Sequence, residues 1–271
     1  MKLFISSDME GTCGITFWDE ADHEKGGRFF DYFRAQMTRE VSAACAGALE
    51  AGAAEVRVKD AHGGGRTIIP TELPMGVSIT RGFGGGPFSM VLGLDQGFDA
   101  LAFTGYHSAA HGNGNPLAHT MNSTIDEMII NGKRASEFAM WVYTAAMLHI
   151  PVIFLSGDEA LCNEAKEWIP GITTAALNRG RGASVTSIHP KEAETLIKEG
   201  MKQAVKSFLE TGGKQCLISL PQSFDVTIKY KEHAKALYNS YYPGAKQINE
   251  KTIGFTAANY SDVMRFFHFV L

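Results

Sequence analysis

Short apolar runs and longer amphipathic stretches alternate along this chain from its first residues. Lys2–Ser7 (KLFISS) reads as a strand, and Arg28–Ala51 as a long helix carrying Phe30, Phe33, Met37, Val41 and Ala44 at helical spacing. Gly52 supplies the stop of that helix. Glu55–Lys59 (EVRVK) and Ala100–Thr104 (ALAFT) predict further strands, with a shorter one over Gly76–Thr80. Glu127–Ile130 followed by Asn131-Gly132 predicts one arm of a hairpin. Ser136 opens a helix to His149, Pro151–Ser156 (PVIFLS) reads as a buried strand, and Asp158–Trp168 as a helix that stops before Pro170. Pro190–Glu210 is a third long helix, begun by proline and closed by Gly212-Gly213.

Repeated strand–helix alternation predicts an α/β fold, a mostly parallel sheet with helices on both faces. The last part changes rhythm: a strand over Phe224–Tyr230, a helix over Lys231–Ser240, a strand over Lys251–Thr256 and a helix over Tyr260–Val270. The expected organisation is therefore an α/β unit over 1–218 that carries the chemistry, and a smaller β-α-β-α lobe over 219–271. With 271 residues, 45% of them hydrophobic, the chain buries a core of that size. Lys and Arg number 25 against 29 Asp and Glu, so there is no basic surplus to draw nucleic acid or anionic lipid. No apolar run approaches the roughly 18 residues of a membrane span, and Asp8 arrives too early for a signal-peptide core. The four cysteines form no CxxC pair, which speaks against a disulfide framework or a thiolate zinc site and places the chain in the cytoplasm.

Ligands of parallel sheets gather outside the carboxyl ends of the strands, so the residues just beyond each strand matter most. The first strand ends in Asp8-Met9-Glu10, and in extended chain residues two apart share a face. Two carboxylates aimed at one spot repel unless a cation or a proton lies between them. EVRVK ends in Asp60-Ala61-His62, and ALAFT in Gly105-Tyr106-His107. Three strands thus deliver carboxylates and imidazoles to one edge, the ligand set of hydrolytic zinc or manganese sites. His111 and His119 lie in the next loop, and Glu137 opens the Ser136 helix, where a carboxylate also suits the helix dipole. Asp158 is a candidate for orienting a ligand from behind. The glycine runs Gly63–Gly65 and Gly82–Gly86 match neither phosphate-binding fingerprint and read as tight turns or places of close backbone approach.

SDMEG, DAHGG, GYH, His119-Thr120, NGKRASE, LSGD and the late YYPGAKQINEKTIGFTA, taken in order, resemble the D-aminopeptidase DppA family, the zinc-dependent peptidases of family M55. The resemblance implies two zinc ions per subunit, with manganese or cobalt as the alternatives such ligands accept. It implies Asp8 as the shared ligand, Glu10 and His62 on one ion, His107 and Glu137 on the other, and His119 as the catalytic histidine, with His111 a weaker candidate. It also implies a homo-oligomer, a decameric ring, that removes the N-terminal residue, a D-amino acid such as D-Ala, from short peptides or amides, with His119 described in the family as the nucleophile. Because a pair of divalent ions acidifies a bound water, a metal-activated water is the expected nucleophile instead. Two other readings stand beside it. DMEGT also resembles the motif of haloacid-dehalogenase phosphatases, with Asp8 as nucleophile, although Glu10 replaces the second Asp and His62 and His107 would then be idle. The other is a non-catalytic, ring-forming binding protein.

Overall fold

The first apolar run becomes β1 (Lys2–Ser7), buried from Leu3 onward. It lies between β2 (Glu55–Asp60) and β4 (Ala100–Tyr106), both parallel to it. β3 (Val77–Thr80) extends the sheet beyond β2, and β7 (Val152–Asp158), β8 (Thr173–Arg181) and β9 (Ser184–Ser187) extend it beyond β4. In this computed structural model, which describes residues 1–23, 27 and 29–271, the strand order is β3-β2-β1-β4-β7-β8-β9, parallel except for β9. The chain runs outward from β1 through β2 to β3, then returns to β4 on the other side of β1. That reversal opens a crevice at the carboxyl ends of β1 and β4, where ligands of such sheets bind.

Helices cover both faces, as the strand–helix rhythm requires. α2 (Phe30–Glu50) packs against α5 (Pro190–Thr211), and the Gly200 backbone of α5 comes up against the Phe154 ring of β7. Phe154 sits in register with Ala102, so Phe103, the residue after Ala102, points the other way, onto Phe138 of α3 (Glu137–Met147). α4 (Glu159–Trp168) comes after β7, and the short α1 (Trp18–Ala21) after the loop that leaves β1. The predicted start of the first long helix at Arg28 lies outside the described residues. β8 and β9 were not expected. The burial of β8 shows no clean alternation and Arg179-Gly180-Arg181 interrupts any apolar run, while β9 is four residues long with none of them buried.

The last strands form a separate antiparallel sheet. β10 (Phe224–Tyr230) alternates buried and exposed positions and pairs with β12 (Thr252–Ala257) on one side and β5 (Ile125–Ile130) on the other. β11 (Lys246–Asn249) and β6 (Lys133–Arg134) form its edges. β5 and β6 are the predicted hairpin, with Asn131 (φ 50°) and Gly132 (φ 75°) supplying the two left-handed residues of its turn. α6 (His233–Asn239) and α7 (Tyr260–Val270) cover this sheet, and the Tyr260 hydroxyl donates to Met140 O of α3 at 2.7 Å, tying the two sheets together. A division at 218/219 is a proposal about folding units, and the β5–β10 pairing crosses it.

Candidate metal centre

The loop after β1 is pinned to the end of β4. Asp8 N–H donates to Thr104 O and Gly11 N–H to Gly105 O, both at 2.8 Å. Glycine is required on both sides of this contact. A Cβ on Gly11 would strike the Tyr106 carbonyl, and Gly105 holds φ +69° with its open side against the Asp8 carbonyl. The pinned loop turns Asp8 and Glu10 inward, 3% and 2% exposed. His62 arrives two residues after β2 and His107 immediately after β4. Glu137 is the first residue of α3, fixed by Ser136, whose hydroxyl caps the helix by accepting from Ala139 N–H. Met121, at φ +66°, donates its N–H to Glu137 Oε1 at 2.6 Å and so aims that carboxylate.

The three histidines share one arrangement. His62 Nε2 lies 2.6 Å from Ala21 O, His107 Nδ1 3.0 Å from Ser108 O, and His119 Nδ1 2.9 Å from Leu117 O. A carbonyl only accepts, so each of these nitrogens carries the proton. The second nitrogen of every ring then faces carboxylates. His62 Nδ1 is 3.3 Å from Asp8 and 3.1 Å from Glu10. His107 Nε2 is 3.5 Å from Asp8 and 3.7 Å from Glu137. His119 Nε2 is 3.6 Å from Glu137 and 3.9 Å from Glu10. Lone pair thus faces lone pair, and His107 Nε2 is buried with no hydrogen-bond partner. Such geometry asks for a cation or extra protons between the groups, and orienting each ring through its far nitrogen is how metal-ligating histidines are held. Ligand atoms of Asp8, Glu10 and His62, of Asp8, His107 and Glu137, and of Glu10, His107 and His119 each fall within 4.8 Å of one another. The residues present fit a divalent metal, and Asp8 belongs to two of the three groups.

Charge in the cluster is set by burial and neighbours. Burial opposes the Glu10 anion, yet His62, then His107 and His119, hold its carboxyl well below the usual range. Burial likewise disfavours the His62 cation, and Glu10 and Asp8 override it, raising His62 well above its ordinary value. His107 is raised to about 9 in the same way, against burial, by Glu137, Glu10 and Asp8. Burial pushes Glu137 up to about 8, with His107 opposing and Asp8 and Glu10 adding. His119 moves the other way. Burial and the charge of His107 hold it below the usual range, so it stays a neutral imidazole at neutral pH. Its ring stacks on His107 at 4.4 Å and meets the Trp18 ring edge-on at 5.2 Å.

A further layer orients these groups. Asp158 accepts from Ser108 N–H at 2.6 Å and Ser108 Oγ at 2.7 Å, and caps α4 through Leu161 N–H at 2.9 Å. Ser108 O in turn holds His107. The Asn115 amide donates to Glu10 O at 3.1 Å. A cavity of about 860 Å³ opens above the cluster, with Trp18, Phe83, Met90 and Met121 in its walls. His111 is exposed at φ +63° and lies in none of the ligand groups and not on the cavity wall. Sequence reasoning missed the carbonyls of Ala21, Ser108 and Leu117, which leave no trace in residue type, and the Met121 amide.

Comparison with known proteins bears on this geometry. The family model for peptidase M55, D-aminopeptidase, matches residues 1–269. A D-aminopeptidase of Bacillus subtilis (strain 168) is 30% identical over 247 residues, 91% of this chain and 87% of that protein. Among solved structures, the Zn-dependent D-aminopeptidase DppA from Bacillus subtilis, a self-compartmentalizing protease, matches with a TM-score of 0.90 at 28% identity, over 100% of this chain and 96% of its own.

Proposed function

Because the chain belongs to the peptidase M55 family of D-aminopeptidases, we propose that Asp8, Glu10, His62, His107 and Glu137 are its metal ligands and His119 its catalytic histidine. The chain is a metal-dependent aminopeptidase, a hydrolase that takes the N-terminal residue from a peptide or amide. In our reading that residue is a D-amino acid such as D-Ala, and the metal is zinc, two ions per subunit. Asp8, between His62 and His107, is the shared ligand. Glu10 and His62 complete one set, and His107 and Glu137 the other. When bound, the ions supply Lewis acidity and an acidified water for attack on the scissile carbonyl.

The chain's own residues do the rest. Ala21 O, Ser108 O and Leu117 O lock the three imidazoles in the tautomers that free the inward nitrogens. His119 Nε2, left with its lone pair inward by the Nδ1–H bond to Leu117 O, takes a proton from the attacking water and returns it to the leaving amine. Water rather than His119 is the nucleophile, since an acyl-imidazole adds a step that activated water does not need. A phosphatase built on Asp8 leaves unexplained why two histidines from other strands converge on that carboxylate.

The observation that carries this reading is the buried, unpartnered Nε2 of His107 facing Asp8 and Glu137. The test is zinc content together with hydrolysis of D-alanyl peptides. The wild-type chain is expected to hold two zinc ions, whereas His107→Ala loses at least one and about a thousandfold or more in kcat/KM. Full activity of His107→Ala without bound metal would overturn it. The self-compartmentalizing relative supports a homo-oligomer, which we propose is a decameric ring acting on small peptides. Tyr238, Ile248 and Phe269 stand exposed on the second sheet and its helices, with Tyr241 exposed in the turn after α6, and light scattering gives the mass. No helix among the described residues is long and apolar enough to cross a membrane. A cytoplasmic location is proposed from the four cysteines, all free and buried.

A further inference from the structure

The cavity above the cluster has two arginines in its wall for which the chemistry at its floor has no use. Asp8, Glu10 and Glu137 line the floor, and Arg34 and Arg66 line the same space. Arg66 lies four residues beyond His62. Gly65 N–H donates to His62 O at 2.8 Å, closing a turn between them. This turn folds the guanidinium back over Gly64, another lining residue, with Nη2 3.3 Å from where a Gly64 Cβ would lie. Arg34 approaches the same loop from α2, its Nε donating to Thr67 O at 2.7 Å. Its Nη1 is 3.7 Å from Asp31 Oδ1, a solvent-exposed carboxylate whose pairing is worth little. Among the described residues no carboxylate lies within ion-pair distance of Arg66.

The cavity is therefore lined both by the carboxylates and imidazoles of the cluster and by two guanidinium forks. A guanidinium fork matches a carboxylate with two parallel hydrogen bonds. The chain from His62 to Arg66 spans at most about 14 Å between α-carbons, the length of a few extended residues. A short zwitterionic peptide fits this polarity, with its scissile end over the ligands and its carboxylate at the arginines. We propose that Arg66, assisted by Arg34, binds the C-terminal carboxylate of the substrate, so that the preferred substrates are free di- and tripeptides rather than amides or the ends of long chains. The proposal deepens the aminopeptidase reading and rests on it.

The test compares D-alanyl-glycine with D-alanyl-glycinamide on the zinc-loaded protein. The wild-type chain is expected to favour the free acid by about tenfold or more in kcat/KM, mainly through KM. Arg66→Ala should collapse that ratio toward one, while Arg66→Lys, which keeps the charge without the fork, retains part of it. Arg66 is exposed and its side chain has no ion pair among the described residues, so loss of folding is not expected; Arg34→Lys provides a second reading from the other fork. Equal use of acid and amide by the wild-type chain, or an unchanged ratio in Arg66→Ala, overturns the proposal while leaving the aminopeptidase intact. Cleavage of neither compound, nor of any other D-aminoacyl peptide, overturns the aminopeptidase reading and the proposal with it.

Discussion

Glu40 shows how one buried residue couples the site loop to solution conditions. It sits on the buried face of α2, where its Oε1 accepts from Cys13 N–H at 3.0 Å and from the Gln36 amide at 2.9 Å. Its Oε2 is buried without a partner. Burial raises this carboxyl from 4.5 to about 7. The folded state thus holds the proton more tightly than the unfolded chain. The stability this contributes is whole below about 4.5 and is lost as pH rises through about 7. Glu40→Gln keeps an acceptor for Cys13 and removes the charge. Denaturant unfolding should find the variant and parent alike near pH 5. Near pH 8 the variant should be the more stable by up to about 3 kcal/mol, the worth of the shift. A difference that does not change between the two pH values would rule this account out.

At the scale of elements, the site depends on how closely the loop after β1 seats on β4. The strands expected from the sequence include both alternating ones, such as β10, and ones buried in continuous runs, β1, β4 and β7, which lead into Asp8, His107 and Asp158. Legibility failed where the determinant is not a side-chain pattern. The strand β8 mixes buried and exposed positions, and β5 finds its partner β10 about one hundred residues later, a pairing that periodicity does not encode. Backbone carbonyls orient the histidines, and any residue type supplies a carbonyl. Asp158 was visible as a candidate, whereas its route to His107 through Ser108 needed the fold. Gly105 gives this seating a test. An alanine there meets both an unfavourable φ and the Asp8 carbonyl, whereas Gly97, at φ +86°, has nothing within 4 Å of an added Cβ. Gly97→Ala should cost about 1 kcal/mol of backbone strain. Gly105→Ala should cost about 3 kcal/mol or more and lower zinc content as well. Equal loss in the two variants would mean that the contact between the loop and β4 does not hold the ligands.

Over the whole molecule, the proposed ligands come from four separate pieces of chain: the ends of β1, β2 and β4, and the start of α3. α3 also carries the Met140 carbonyl that receives Tyr260 from the second sheet. A cation held by these side chains therefore joins both sides of the central crevice and braces the helix that links the two sheets. Binding to the folded state alone stabilises it by mass action, about 4 kcal/mol when free metal exceeds its dissociation constant a thousandfold. In a chain of this length each kcal/mol moves the melting temperature by about 2–4 °C. Removing zinc with a chelator should accordingly lower Tm by about 10 °C, and adding zinc back should restore it. His107→Ala and Glu137→Ala, which dismantle one ligand set, should show a smaller chelator effect than the parent. If chelation empties the site while Tm stays fixed, the cation does not brace the fold, and the crevice must be held by the backbone contacts between the β1 loop and β4 alone.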